Sequence, residues 1–344
     1  MTGVVPSQDS FGTLKDGTQV SRFSFTNKNN VTVRVINYGA TITDILLPDK
    51  NGTVEDISLG FDSVQEYESQ HSYIGAALGR VTERIKCAKF EIDGVEYKVS
   101  ANDNNIHQVH GGTSGFDTKM FTASVDGDTV VMKYVSPDGE EGFPGEVTAE
   151  FTFRLTEENE LILGYTATTT KPTPVNLSNH VYFNLAGHGA GNVGDQILTV
   201  NSCRHIPLDK EYIPLGDGTI SDVKGTPFDL TTPTQLRERM KDVLVSNYVF
   251  EGHGKKKHVA KLELPSTGRT VDCFTTEPCM ETYFSCAMRT MKGKNGATYG
   301  AYENGGICLI PMQYSSAVNM PNFPNMILQP GQTYTQTTSY KFGF

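Results

Sequence analysis

The sequence predicts an all-β protein, a large antiparallel β-sandwich or barrel running as one domain over residues 1–344. Three observations carry that expectation. Runs rich in Val, Ile, Thr, Tyr and Phe recur along the chain, and the clearest alternate apolar and polar residues with the period of a half-buried strand. Asp-Gly pairs interrupt such runs at Asp16-Gly17, Asp93-Gly94, Asp126-Gly127 and Asp138-Gly139, where glycine supplies the positive φ of a tight hairpin turn. No strand–helix alternation, linker-like segment or repeat divides the chain.

Taken in order, Val31–Ile36 reads as an early strand. Lys89–Ile92 and Val95–Val99 flank Asp93-Gly94 and predict a hairpin. Val130–Tyr134, Val147–Leu155 and Leu161–Thr169 follow as strands. In 147–155 the apolar residues Val147, Ala149, Phe151, Phe153 and Leu155 occupy every second position, so that strand should bury one face. Pro233–Asp242 is the best candidate for a short helix.

Composition narrows the function classes. With 29 Lys+Arg against 39 Asp+Glu the net charge is -10, which argues against a nucleic-acid partner, since phosphate binding needs a basic footprint. The compact basic run Lys255-Lys256-Lys257 is expected in an exposed, solvated loop. Apolar runs such as Ile74–Leu78 fall far short of the roughly 18 residues of a membrane-spanning helix. The N-terminus shows neither a basic nor an apolar signal region. Six Cys, with no Cys-x-x-Cys pair and a Cys279 to Cys286 spacing that fits no zinc pattern, suit reduced thiols. A cytoplasmic location is therefore expected, with no membrane association and no metal.

Eight His are the informative residues. His110 stands directly before Gly111-Gly112, where backbone could approach a ligand closely. His180 lies among Asn176, Asn179, Tyr182, Phe183 and Asn184, a mixture of amide donors and acceptors with aromatic faces that suits a polyhydroxylated ligand. Turn capping or backbone satisfaction is the alternative for either. No His-x-His or Asp-x-His grouping points to a metal.

Several blocks, in order from about residue 35 to the C-terminus, resemble the galactose mutarotase (aldose 1-epimerase) family. They include Asn37-Tyr38-Gly39-Ala40-Thr41-Ile42, Leu59-Gly60-Phe61-Asp62, and Gly79-Arg80-Val81 with Arg84-Ile85. His110-Gly111-Gly112 followed by Gly115-Phe116-Asp117 is similar to the family's pattern, as are the segment 176–187, Gly225-Thr226-Pro227-Phe228-Asp229 and Lys292-Gly293-Lys294-Asn295-Gly296. The resemblance implies a single large β-sandwich of the galactose mutarotase type. It also implies interconversion of α and β anomers of a free aldose of the galactose or glucose class, without cofactor. In such a reaction a glutamate takes the anomeric hydroxyl proton and a histidine protonates the ring oxygen, so that both ends of the breaking hemiacetal change protonation together.

Residue by residue, His180 corresponds to the family's acid, His110 to its second substrate histidine and Arg84 to its sugar-binding arginine. The other site positions depart from the pattern. Ile310, in Cys308-Leu309-Ile310, stands where the glutamate base should be. Val245, before Ser246-Asn247-Tyr248, takes the place of a substrate aspartate. Glu83 replaces an asparagine and Glu281 a glutamine. Three readings remain: weak or lost activity with binding of a carbohydrate or another ligand, a modified epimerase with Glu281 or Glu83 as a relocated base, or a non-catalytic interaction protein on the same scaffold. Oligomeric state is left open.

Overall fold

A computed structural model describes residues 3–69, 72–240, 245–285, 288–300 and 305–344. It is an antiparallel β-sandwich built mainly from three sheets. Strands Ser7–Thr13, Gln19–Thr26, Thr32–Ile36, Thr41–Pro48 and Val54–Asp56 follow one another across a five-stranded sheet. A nine-stranded sheet runs in the order Thr122–Asp126, Thr129–Ser136, Val147–Leu155, Glu160–Thr169, Tyr334–Gly343, Thr270–Thr275, Lys257–Glu263, Ile197–Val200 and Thr234–Gln235. The C-terminal strand thus lies in mid-sheet, paired with 160–169 on one side and 270–275 on the other. The third sheet has six strands, in the order Tyr182–Phe183, Ile307–Met312, Cys279–Phe284, Val245–Val249, Arg204–Ile206 and Ser221–Asp222.

All three sheets feed one apolar core. Phe25 and Val33, Phe151 and Leu163, and Met280 and Leu309 belong to the same cluster of buried side chains. The expected period of two in 147–155 is realised: its five apolar residues are buried and the residues between them half-exposed. The same alternation in the six-stranded sheet positions the site. Phe183, Leu309 and Met280 face the core, so Tyr182, Cys308, Ile310, Glu281 and Tyr283 lie on the opposite face.

Expected turns mostly hold. Asp93 and Gly94, at φ 51° and 82°, join 89–92 to 95–98 as a two-residue hairpin. Asp126 instead pairs with Thr129, so the turn there is Gly127-Asp128. Asp138-Gly139 opens a longer loop through a 3-10 turn, Glu140–Gly142.

Two expectations need correction. Pro233–Asp242 is not a helix: Thr234 and Gln235 pair with Leu198 and Ile197 at the sheet edge, and only Leu236–Glu238 makes a 3-10 turn, drawn in by the buried Leu236. Its last residues, 241 and 242, lie outside the described residues. Lys255 and Lys256 are exposed, but Lys257 and His258 already belong to a strand, and Lys256 is ion-paired with Glu160. The helix Val64–Ser69 was missed. Its signal was Ser63-x-x-Glu66, whose Glu66 carboxylate accepts from Ser63 N and Oγ at 3.0 and 2.7 Å. Cys273, Cys279 and Cys308 are buried free thiols, whereas Cys87 and Cys203 are exposed; Cys286 lies outside the described residues. No described helix is long and apolar enough to cross a membrane.

Candidate functional site

A cavity of about 490 Å³ opens above the outward face of the six-stranded sheet. Arg84, His110, His180, Glu83, Glu281 and Val245, separated by up to about two hundred positions in sequence, all line it. Ile310 does not. It is fully buried, directly across the strand pair from Glu281. Because paired residues of adjacent strands project to one face, Glu281 is the carboxyl nearest in register to the position where the family resemblance expects a base.

The Arg84 end is held by a short ladder. Arg84–Ile85 pairs with Gln108–Val109, bringing Glu83 and His110 together at its end. Both adopt left-handed backbone, at φ 67° and 52°, an arrangement that costs a non-glycine residue about 1 kcal/mol or more and persists only when its surroundings impose it. Two mutual hydrogen bonds do so: His110 N donates to Glu83 O at 3.1 Å, and Glu83 N donates to His110 Nδ1 at 3.2 Å. With Nδ1 accepting, the proton of neutral His110 sits on Nε2. Burial, the neighbouring His180 and Arg84 all push His110 well below the ordinary imidazole range. The following glycines serve a different purpose from the one expected. A Cβ on Gly111 would collide with the Gly79 carbonyl, and one on Gly112 with the Glu141 carboxylate. They permit backbone packing rather than ligand approach.

Arg84 is the electrostatic centre of this end. Its Nη1 lies 3.1 and 3.3 Å from the two oxygens of Glu83, and its Nε lies 2.7 Å from Asp103 Oδ2. Its guanidinium carbon sits 4.9 Å from the Tyr212 ring centroid. Burial alone would lower the arginine, but the Glu83 and Asp103 carboxylates outweigh it and hold the group charged. Among the described residues Nη2 makes no hydrogen bond, which leaves two donors for a ligand. Ser315 Oγ donates to Glu83 Oε2 at 3.1 Å.

His180 is packed in an aromatic box. Tyr182 stacks on it at 4.7 Å and Tyr73 at 6.1 Å, while His110 and Tyr283 meet it edge-on at 5.2 and 5.9 Å. Burial lowers its pKa to about 4, so the ring is neutral near pH 7. Its Nδ1 lies 3.4 Å from Cys308 Sγ. Glu281 moves in the opposite direction: burial first, then the charge of Glu83 and a hydrogen bond to it, raise its carboxyl well above the usual range against the pull of Arg84.

The asparagines near His180 serve the fold. Asn176 binds Thr82 O and Gln313 N, Asn179 binds Gly75 O, and Asn184 binds Gly191 O and Gly305 O. Of the two aromatic residues beside His180, Tyr182 lines the cavity and Phe183 is buried in the core. Tyr73, Tyr212, Tyr283, Met288 and Met291 were missed as lining residues; nothing in their local sequence separates them from other tyrosines and methionines. Among the described residues no cluster of ligating side chains could hold a metal.

The profile of the aldose 1-epimerase family matches residues 21–341. The chain belongs to that family. It is 38% identical over 338 residues to galactose mutarotase of Bos taurus, covering 96% of this chain and 97% of the relative, and 37% identical over the same length to the Homo sapiens protein. The aldose epimerase homologue of C. elegans superposes with a TM-score of 0.86 at 29% identity, covering 93% of this chain and 98% of that one. A galactose 1-epimerase structure from Lactobacillus acidophilus superposes at 0.82 and 22% identity, which bears on the fold alone.

Proposed function

We propose that the protein binds a free aldohexose of the galactose or glucose class in this cavity and interconverts its anomers slowly. The observation that carries the reading is the convergence of Arg84, His110 and His180 on one cavity that Glu83 and Glu281 also line, with Glu281 across the strand pair from Ile310. The guanidinium fork and His110 Nε2–H would hold ring hydroxyls, the tyrosine faces would pack on the sugar's C–H surface, and His180 with Glu281 would form the proton-transfer pair. Binding energy is spent here on orientation; the chemistry needs only proton movement at the two hemiacetal oxygens.

A second reading, carbohydrate binding without turnover, is favoured by one observation. Ile310 is fully buried, and the carboxyl nearest to it, Glu281, is engaged with Glu83 rather than free as a base. A positioned general base is worth roughly 10²–10⁴-fold, so its loss would leave little acceleration over water. Isothermal titration with galactose and glucose, run beside polarimetry of the α-anomers at neutral pH, separates the two. Binding with mutarotation above the buffer rate supports slow catalysis, and binding without it supports the second reading. Failure of both sugars to bind at millimolar concentration would remove both readings for these ligands.

A further inference from the structure

Glu83, Arg84, Asp103 and Glu281 form one cluster along the cavity wall, in which three carboxyl groups share a single guanidinium. Fully ionised, the cluster would carry a net charge of about -2, with Glu83 and Glu281 each only 3% exposed. Among the described residues no other charge compensates. His110 and His180 are neutral, Cys308 and Tyr182 on the flanking strands are held protonated by burial, and Arg289 stands exposed at the mouth. A proton on one carboxyl relieves that excess of negative charge.

Hydrogen-bond donors decide which. Asp103 accepts from Arg84 Nε at 2.7 Å and from Asn104 Nδ2 at 3.1 Å. Glu83 accepts from Arg84 on both oxygens and from Ser315 Oγ. Among the described residues Glu281 receives no such donor. Its Oε2 is buried without a partner among the described residues, and Asn247, its strand-pair neighbour, makes no hydrogen bond to it. What Glu281 does contact is the Glu83 carboxylate. Two carboxylates only accept, so a hydrogen bond between them exists only if one is protonated. Glu83 already has Arg84 and Ser315 to stabilise its ionised form and keeps acceptor capacity for one more hydrogen bond, which leaves the proton on Glu281.

We propose that Glu281 is held as a neutral carboxylic acid and acts as the proton donor of this site, with His180 as the acceptor. This inverts the roles that family resemblance implies, and it rests on the aldose reading of the cavity. The imidazole can serve in this role: in the tautomer that carries its proton on Nδ1, facing the Cys308 sulfur at 3.4 Å, Nε2 keeps a lone pair. In the ring-opening direction the C1–O5 electron pair leaves with O5, which takes the Glu281 proton. The anomeric hydroxyl gives its proton to His180, and its electron pair forms the C1=O1 bond. Rotation about C1–C2 and closure on the other face return both protons, leaving the protein unchanged.

A pH–rate profile cannot distinguish this from the reverse assignment. A protonated Glu281 with neutral His180 and an ionised Glu281 with protonated His180 contain the same number of protons and give the same bell. Difference infrared spectroscopy can, because a protonated carboxyl has a carbonyl stretch separate from carboxylate bands. The difference form is needed because Glu277, raised by burial to about 8, also contributes a protonated band. Wild type minus Glu281→Gln at neutral pH should show a lost carboxylic-acid band; loss of carboxylate bands instead would overturn the proposal. In Glu83→Gln, where the anionic neighbour is gone, the Glu281 band should persist at acid pH and titrate away at lower pH than in wild type. An unchanged titration overturns the shared-proton pair, even if Glu281→Gln proves unstable. In polarimetry Glu281→Gln should lose about 10²–10⁴-fold of the catalysed rate; a protonated Glu281 whose replacement leaves the rate intact overturns the donor role. A wild type that binds and turns over neither galactose nor glucose removes the aldose reading and the donor role with it, while the infrared result still reports the proton's location.

Discussion

Restoring a glutamate at position 310 should fail by itself and succeed when Glu281 is neutralised at the same time. Ile310 is fully buried and pairs across the strands with Glu281, which already contacts Glu83. Ile310→Glu would add a further carboxyl to a cluster with one guanidinium. A buried, uncompensated charge costs on the order of 3–5 kcal/mol, equivalent to roughly 2–4 pKa units at about 1.4 kcal/mol each. The new carboxyl would therefore hold its proton up toward the neutral range, leaving only part of it ionised to serve as a base. The change also forfeits about 1.5–3 kcal/mol of isoleucine burial, so the single variant should be destabilised in urea. In Ile310→Glu/Glu281→Gln the number of carboxyls returns to three, but unlike Glu281 in the wild type the new one faces an amide that can donate to its ionised form. Polarimetry with α-D-galactose and α-D-glucose, with titration of each sugar in parallel, is the assay. The double variant should exceed Glu281→Gln alone by about 10²-fold or more, whereas Ile310→Glu alone should stay within about tenfold of wild type if crowding holds its carboxyl protonated. Equal rates for the single and double variants would refute the crowding argument. A double variant that binds sugar but gains nothing would show that residue 310 does not reach the reacting centre.

Arg84→Lys should weaken galactose binding by about 10–100-fold in titration calorimetry, because one ammonium cannot bridge Glu83 and Asp103 and still present a planar donor pair. Glu277 is buried beside Gln313, and burial raises its carboxyl to about 8. The native state therefore holds a proton that the unfolded chain releases near the usual carboxylate range, and stability falls as pH rises from there toward about 8. The fall should approach 1.4 kcal/mol per pH unit. Urea melts from about pH 5 to pH 8 should show the slope in wild type and a flatter one in Glu277→Gln. Removal of residues 334–344 should abolish cooperative folding, since that strand lies between 160–169 and 270–275 in mid-sheet. An independently folded, protease-resistant half would refute the reading of the chain as one folding unit.

Much of the strand pattern was legible because alternation is local. A strand with one buried face must place apolar residues every second position, and Val147 to Leu155 does so in sequence and in space. Asp93-Gly94 was legible for the same reason, since positive φ is a property of those residues themselves. The Pro233–Asp242 expectation failed because its weak helical pattern competed with pairing to 197–200, a contact some forty residues away that no local window contains.

Arg84, His110, His180, Glu83 and Glu281 were found through motif resemblance, and residue type alone established that Ile310 cannot move a proton. Tertiary structure decided what became of the remaining charges. Glu281 and Ile310 lie in separate blocks of sequence and become neighbours only through the pairing of 279–284 with 307–312. Asp103 and Ser315 reach Arg84 and Glu83 through loops that no motif marked. A carboxyl's protonation depends on how much water it loses and which charges and donors replace it. Those are set by through-space distances of a few ångströms, which the order of residues along a chain does not contain.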